Sequence, residues 1–244
     1  MEKEAFLRHI NDLFRLSDKY NTPRFSEFLD GEKQSIIMAN NFADCMLWGG
    51  YEDAERCMLG VFPDWCDKNS EEFPISVLEF RKKYNKEISH RNYLGTILSL
   101  GIKREKIGDI LPHDDGCYVF LSSDIADFVK DNIRKVSGCG VEILSADVKK
   151  ISIPEKQFEL IETVAASLRL DAVLASAMKK SRNDAKNMIL SGKVSVNHCE
   201  INQTDYMLKD GDLLSVRGLG RIQLAAFGGK TRSDRLHITL KKFI

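Results

Sequence analysis

The sequence has 244 residues, 43% hydrophobic and 30% charged, with no run near the ~18 apolar residues of a membrane span. That length predicts two or three domains of about 100–200 residues each. The net charge of zero conceals an asymmetry: residues 169–244 carry 14 Lys and Arg against 7 Asp and Glu, whereas residues 1–72 carry 8 against 15. A cationic third joined to an acidic first third fits a polyanion-binding module fused to a non-binding domain. The charged start Met1-Glu2-Lys3-Glu4 has no apolar leader behind it, so a cytoplasmic protein is expected. The six cysteines are scattered without a C-x-x-C pair, which predicts buried reduced thiols rather than disulfides or a metal site.

From the start, Phe6, Leu7, Ile10, Leu13 and Phe14 have the spacing of an amphipathic helix over Glu4 to Tyr20. Thr22-Pro23 offers a cap and first-turn proline for a short helix ending near Gly31. Phe42 to Trp48 and Cys57 to Phe62 predict two strands around the Gly49-Gly50 turn.

A strand at Ile75 to Phe80, a helix at Arg91 to Leu100, a hairpin of Ile107–Leu111 with Cys117–Leu121, a Ser123-capped helix through Lys135 and a strand at Val141 to Leu144 follow. The order β-α-β-β-α-β is the split pattern of ferredoxin-like and RRM-like domains. Tyr118 and Phe120 share one strand face but lack the basic partners of an RNA-stacking strand, so that face is equally suited to burial. Lys103-Arg104-Glu105-Lys106 is a candidate phosphate contact. Residues 152–168 are expected to be a connector, helix-like around Phe158, Ile161 and Val164.

Beyond it, Leu170, Val173, Leu174 and Ala177 share a helix face. Ser181 with Asp184 forms a capping-box start for a second helix that stops at Gly192. Strands at Lys193–Asn197, Leu213–Arg217 and Arg221–Leu224 complete a small curved sheet. The helix pair is expected to gather Arg169, Lys179, Lys180, Arg182, Lys186 and Lys193 around one junction, with the helix start at Ser181 as a phosphate seat. Arg217, Arg221 and a loop carrying Lys230, Arg232 and Arg235 extend this surface, and Asn197 completes the candidate RNA-binding set. Neutralising roughly 5–8 phosphates there predicts affinity that falls steeply with salt, through shape and backbone recognition of folded RNA.

Arg169-Leu170-Asp171, Ser181-Arg182-x-x-Ala185, Gly192-Lys193-Val194-x-Val196-Asn197 and Gly211-Asp212-x-Leu214-x-Val216-Arg217-Gly218-x-Gly220-Arg221 together resemble an S4 domain. Gly49-Gly50-Tyr51 with Ala54-Glu55-Arg56, and Arg91-Asn92-Tyr93-Leu94-Gly95 running into Gly101 to Ile110, resemble the YlmH family of bacterial S4-domain proteins. The family often has Asp where this chain has Asn92.

The resemblance implies a multidomain α+β protein: an N-terminal α+β domain (1–72), an RRM-like middle domain (73–151) and a C-terminal S4 domain (169–244). It also implies binding to the large ribosomal subunit, on stalled subunits that still carry peptidyl-tRNA, in ribosome-associated quality control. Large-subunit rRNA is the expected ligand, with peptidyl-tRNA a candidate second one, and a monomer without cofactor is expected. Two other classes compete. Arg169-Leu170-Asp171 echoes the catalytic triplet of pseudouridine synthases, although at a helix start Asp171 is expected to cap or pair locally. A protein-interaction adaptor would instead dock through the acidic N-terminal domain.

Overall fold

In a computed structural model, residues 2–154 and 158–243 are described. They fall into two compact units, Met1–Pro154 and Glu155–Ile244.

The first unit begins with helix α1 (Glu2–Tyr20), β1 (Arg24–Phe25), α2 (Gly31–Asn40), β2 (Cys45–Trp48) and β3 (Met58–Val61). The strands form an antiparallel sheet in the order β1-β3-β2. Ile10, Leu13 and Ile37 of the helices cluster with Leu59 and Val61. The helix expected from Thr22-Pro23 does not form. Instead Arg24 and Phe25 pair with Val61 and Gly60. The next helix waits for Asp30, whose carboxylate accepts a hydrogen bond from the Lys33 amide at 3.0 Å.

A second sheet contains β4 (Ile75–Lys82), β5 (Ile107–His113), β6 (Gly116–Ser122), β7 (Lys135–Val136) and β8 (Cys139–Ala146), with α3 (His90–Leu98) and α4 (Ser123–Asn132). Its order, β5-β6-β4-β8-β7, is the split βαβ arrangement with a two-residue edge strand added. α4 stops before Lys135, which is claimed by pairing with Gly140. Leu78, Phe80, Val119 and Leu121 face the helices, packing with Tyr93, Ile97 and Val129. Asn92 completes a capping box at the start of α3, its Oδ1 accepting from the Ser89 amide at 3.1 Å. A neutral amide thus does the capping that a carboxylate would do there.

The opposite face of this sheet is partly closed by the N-terminal segment. Phe120 is fully buried, 4.9 Å from the Tyr51 ring and clustered with Phe28 and Phe73. Asp109 ties the segments together: it accepts from the Tyr51 hydroxyl and the Glu55 amide at 2.7 Å and from the Arg56 amide at 3.0 Å. Burial, and then Asp109, raise the Tyr51 phenol above its usual pKa, which keeps it a donor. Gly50 sits at φ +103°, and a Cβ there would lie 2.6 Å from the Phe120 ring. Only glycine fits that approach.

The second unit contains β9 (Phe158–Ala165), α5 (Leu170–Met178), α6 (Arg182–Leu190), β10 (Val194–Val196), β11 (Cys199–Glu200), β12 (Leu213–Val216), β13 (Gly220–Lys230) and β14 (Leu236–Phe243). One antiparallel sheet runs β11-β10-β12-β13-β14-β9. The helix-like stretch at Phe158, Ile161 and Val164 is therefore a strand, paired along its whole length with β14. Likewise, the loop expected to carry Lys230, Arg232 and Arg235 is ladder as far as Lys230, and only residues 231–235 turn. Leu170, Val173, Leu174, Ala185 and Ile189 pack onto Val194, Leu214, Ile222 and Leu240. Of the cysteines, Cys57, Cys117 and Cys139 are buried, but Cys199 on β11 is exposed.

Candidate nucleic-acid interface

The turn between α5 and α6 is built for a helix start. Lys179 closes α5 in the left-handed region at φ 52°, and its amide returns to the Ala175 and Ser176 carbonyls. Ser181 then caps α6: its hydroxyl accepts from the Asp184 amide at 3.1 Å, while the Asp184 carboxylate accepts from the Ser181 amide at 3.2 Å. The capping box expected from the sequence is present. It consumes two of the free amides of the first turn, and the remaining ones keep the positive end of the helix dipole.

Asp171 organises the cations around this turn. Its side chain is fully buried, and it accepts from Nε and Nη2 of Arg182, both at 3.0 Å, and from Nε and Nη2 of Arg169 at 3.2 and 3.3 Å. Burial pushes its carboxyl up, yet the hydrogen bonds and charges of Arg182 and Arg169 outweigh this and hold it below the usual range. Two guanidinium groups are thereby fixed over one carboxylate, leaving a net positive charge. Their side chains remain 47% and 35% exposed, enough to offer their outer N–H groups to a ligand.

The thirteen candidate residues do not form one ring. Arg169, Lys179, Lys180, Ser181, Arg182 and Lys186 lie at or within about a turn of the α6 start. Lys193 is beyond the other end of α6, about 13 Å along its axis. There its carbonyl accepts from the Arg217 amide, so Lys193 and Arg217 form a separate cationic pair, followed in β13 by Arg221. Asn197 has a structural occupation: its Nδ2 donates to Asp212 at 2.8 Å and its Oδ1 accepts from the Leu213 amide at 2.9 Å. Lys230, Arg232 and Arg235 surround the β13–β14 turn, about 30 Å along the strand from Arg221. Lys230 is paired there with Asp234 at 2.6 Å. Arg232 and Arg235 make no ion pair among the described residues.

In the first unit, the proposed phosphate contact at residues 103–106 is largely used internally. Arg104 donates to the Ile107 and Gly108 carbonyls, and burial lowers its pKa to about 10. Lys106 bridges Glu27 and Asp124, both at 2.8 Å. Tyr118 stacks on His113 with centroids 4.5 Å apart, beside a ring, Phe120, that is closed off entirely.

Two family models match the chain, one described as "Putative RNA-binding domain in YlmH" over residues 68–150 and the S4 domain over residues 168–214. The Ribosome-associated protein quality control protein P2 of Bacillus subtilis is 30% identical over 247 residues, spanning 99% of this chain and 95% of that protein. The chain belongs to the YlmH family.

Among solved structures, the Cell division protein ylmH from Streptococcus pneumoniae has the same fold over 62% of this chain and 96% of its own, with a TM-score of 0.53 at 17% identity. Membership gives the α5–α6 turn its meaning, since Arg169 to Gly192 falls inside the S4 match. The β13–β14 hairpin and β9 lie outside the S4 match, although they complete the same sheet. No helix among the described residues is long and apolar enough to cross a membrane.

Proposed function

We propose that this YlmH-family chain is a non-catalytic RNA-binding protein that acts on the large ribosomal subunit, in quality control of stalled subunits carrying peptidyl-tRNA. The observation that carries the reading is the α5–α6 turn. There the helix start, Lys179, Lys180 and Lys186, and the two arginines held by Asp171 converge on one exposed surface. Rigid guanidinium forks beside free helix amides suit phosphate oxygens rather than base edges. The Bacillus subtilis relative supplies the ribosome-associated quality-control setting by its name.

Asp171 also speaks against the pseudouridine synthase reading. A carboxylate fully buried and bound by two arginines has no surface to offer a ribose or base. Partners are therefore expected to be large-subunit rRNA and tRNA, bound by a monomeric cytoplasmic protein.

Charge reversal at Lys180 and Lys186 tests this, because neither side chain contacts Asp171. Lys180→Glu with Lys186→Glu is expected to abolish cosedimentation with large ribosomal subunits while circular dichroism stays unchanged. Cosedimentation equal to that of the unaltered protein would refute the assignment. Arg182 is a poorer probe, since reversing it sets two carboxylates against each other in a buried place.

A further inference from the structure

We propose that the first unit carries a second RNA-backbone contact of its own, on the loop after β4 and the β7–β8 hairpin, centred on Lys83, Lys86 and Lys135. This rests on the RNA-binding reading above and assigns it a surface. The segment matched as an RNA-binding domain has its Phe120 ring sealed under Phe28 and Tyr51, and Tyr118 is covered by His113. The central ring of the stacking face that such a sheet offers to unpaired bases is therefore closed off. With that ring unavailable, a backbone contact elsewhere on the unit gains weight.

A cationic surface stands at the other end of the sheet's β4 and β7–β8 elements. Lys82-Lys83-Tyr84-Asn85-Lys86 leaves β4 and crosses the hairpin that joins β7 to β8. The Lys83 amide donates to the Gly140 carbonyl at 3.0 Å. The Lys83 stem lies on Gly140, where a Cβ would come within 3.3 Å of its Cδ. Gly140 is in turn the strand partner of Lys135. Lys86 Nζ donates to the Ser137 carbonyl, and Lys82 Nζ donates to the Lys86 carbonyl at 3.2 Å. Tyr84 pins the loop with its hydroxyl, which donates to the Gly138 carbonyl at 2.8 Å, while its ring stays 53% exposed.

Four ammonium groups thus stand on a fixed scaffold, and none is paired with a carboxylate among the described residues. Acidic residues near these four lysines are Glu87, Glu142, Asp131 and, across from Lys82, Asp115, whose carbonyl accepts from the Lys82 amide at 2.9 Å. Lys82 and Lys86 are held by carbonyls rather than neutralised by carboxylates, and with Lys83 and Lys135 they keep their charge for phosphate, while an exposed tyrosine among them suits a flanking sugar or base.

The test uses the full chain and titrates binding to purified large ribosomal subunits and to deproteinised 23S-type rRNA at several salt concentrations. Lys83→Gln with Lys135→Gln removes two charges that make no side-chain hydrogen bond among the described residues, so the fold is spared. The slope of log K against log salt is expected to fall by about 1.5–2 on both ligands, the effect of two lost phosphate contacts. An unchanged slope and affinity on both, with Lys180→Glu/Lys186→Glu still abolishing binding, would overturn this inference and leave the S4 reading intact. Weakened binding to subunits but not to bare RNA would overturn it in favour of an acidic protein partner. Absence of binding by the unaltered chain would refute the RNA reading, and this surface with it.

Discussion

At the scale of single residues, the chain invests its buried polar groups in fixing backbone and arginines. Asp171 is the clearest case, because one carboxylate satisfies four guanidinium N–H groups at 3.0–3.3 Å. Asp171→Ala is expected to cost roughly 1–3 kcal/mol, less than the ~3–5 of a wholly buried pair because both arginines reach solvent. A denaturant titration of the second unit measures this, and RNA affinity should fall further than stability alone explains, since both guanidinium groups lose their orientation. The carboxyl is held below its ordinary 3.8. A depressed carboxylate stabilises fully above its unfolded pKa and ceases to do so as pH falls through the folded value. Acid unfolding below about pH 4 should accordingly be less pH-dependent in Asp171→Asn than in the parent, when urea midpoints are compared across pH. Sequence reading placed Asp171 in a local pairing, but it did not reveal that Arg182, eleven positions on, is the partner. That required the turn at Lys179, a left-handed lysine no pattern announces.

Elements show which signals carry over into structure and which are overridden. The Ser181–Asp184 box and the β5–β6 hairpin were legible because their partners lie within a few residues. The stretch from Phe158 was not, since Phe158, Ile161 and Val164 are three apart like a helical stripe. Its strand state comes from β14, more than seventy residues later. Thr22-Pro23 misled for a related reason: the pairing of Phe25 with Gly60, and its ring against Phe73 at 4.9 Å, outweighs a local cap signal. Charge groups the basic candidates in the sequence but not their geometry, because spacing alone does not show that Lys193 lies past the far end of α6 from Ser181. At this scale Ser181→Ala is expected to destabilise α6 by about 1 kcal/mol. Hydrogen exchange should show it as faster exchange of the Asp184 amide and the first turn, with the β12–β13 ladder unaffected.

On the scale of the whole molecule, each unit packs its own hydrophobic clusters among the described residues. Asp109→Ala strips three hydrogen bonds from the joint between the N-terminal segment and the β4–β8 sheet, one of them from Tyr51. It should destabilise the first unit by roughly 1–3 kcal/mol for donors left unpaired in a buried place, seen as a lower thermal transition, with the S4 amides keeping their protection. Loss of protection in both units would contradict that separation. The glycine-rich block from Gly49 and the block ending at Ile110 are thus explained together as the two sides of the Asp109 joint, a relation that sequence order hides. The pairing of β9 with β14 has a consequence for biosynthesis. Phe158 finds its neighbour only at Phe243, so β9 leaves the exit tunnel long before the strand that covers its edge. Throughout that interval the nascent chain presents an unpaired ladder carrying Phe158 and Leu160, which is a temporary liability for self-association. Excising residues 168–214 as a stand-alone S4 fragment would cut β12 after Leu214 and remove β13, leaving β10 without the strand that completes its pairing.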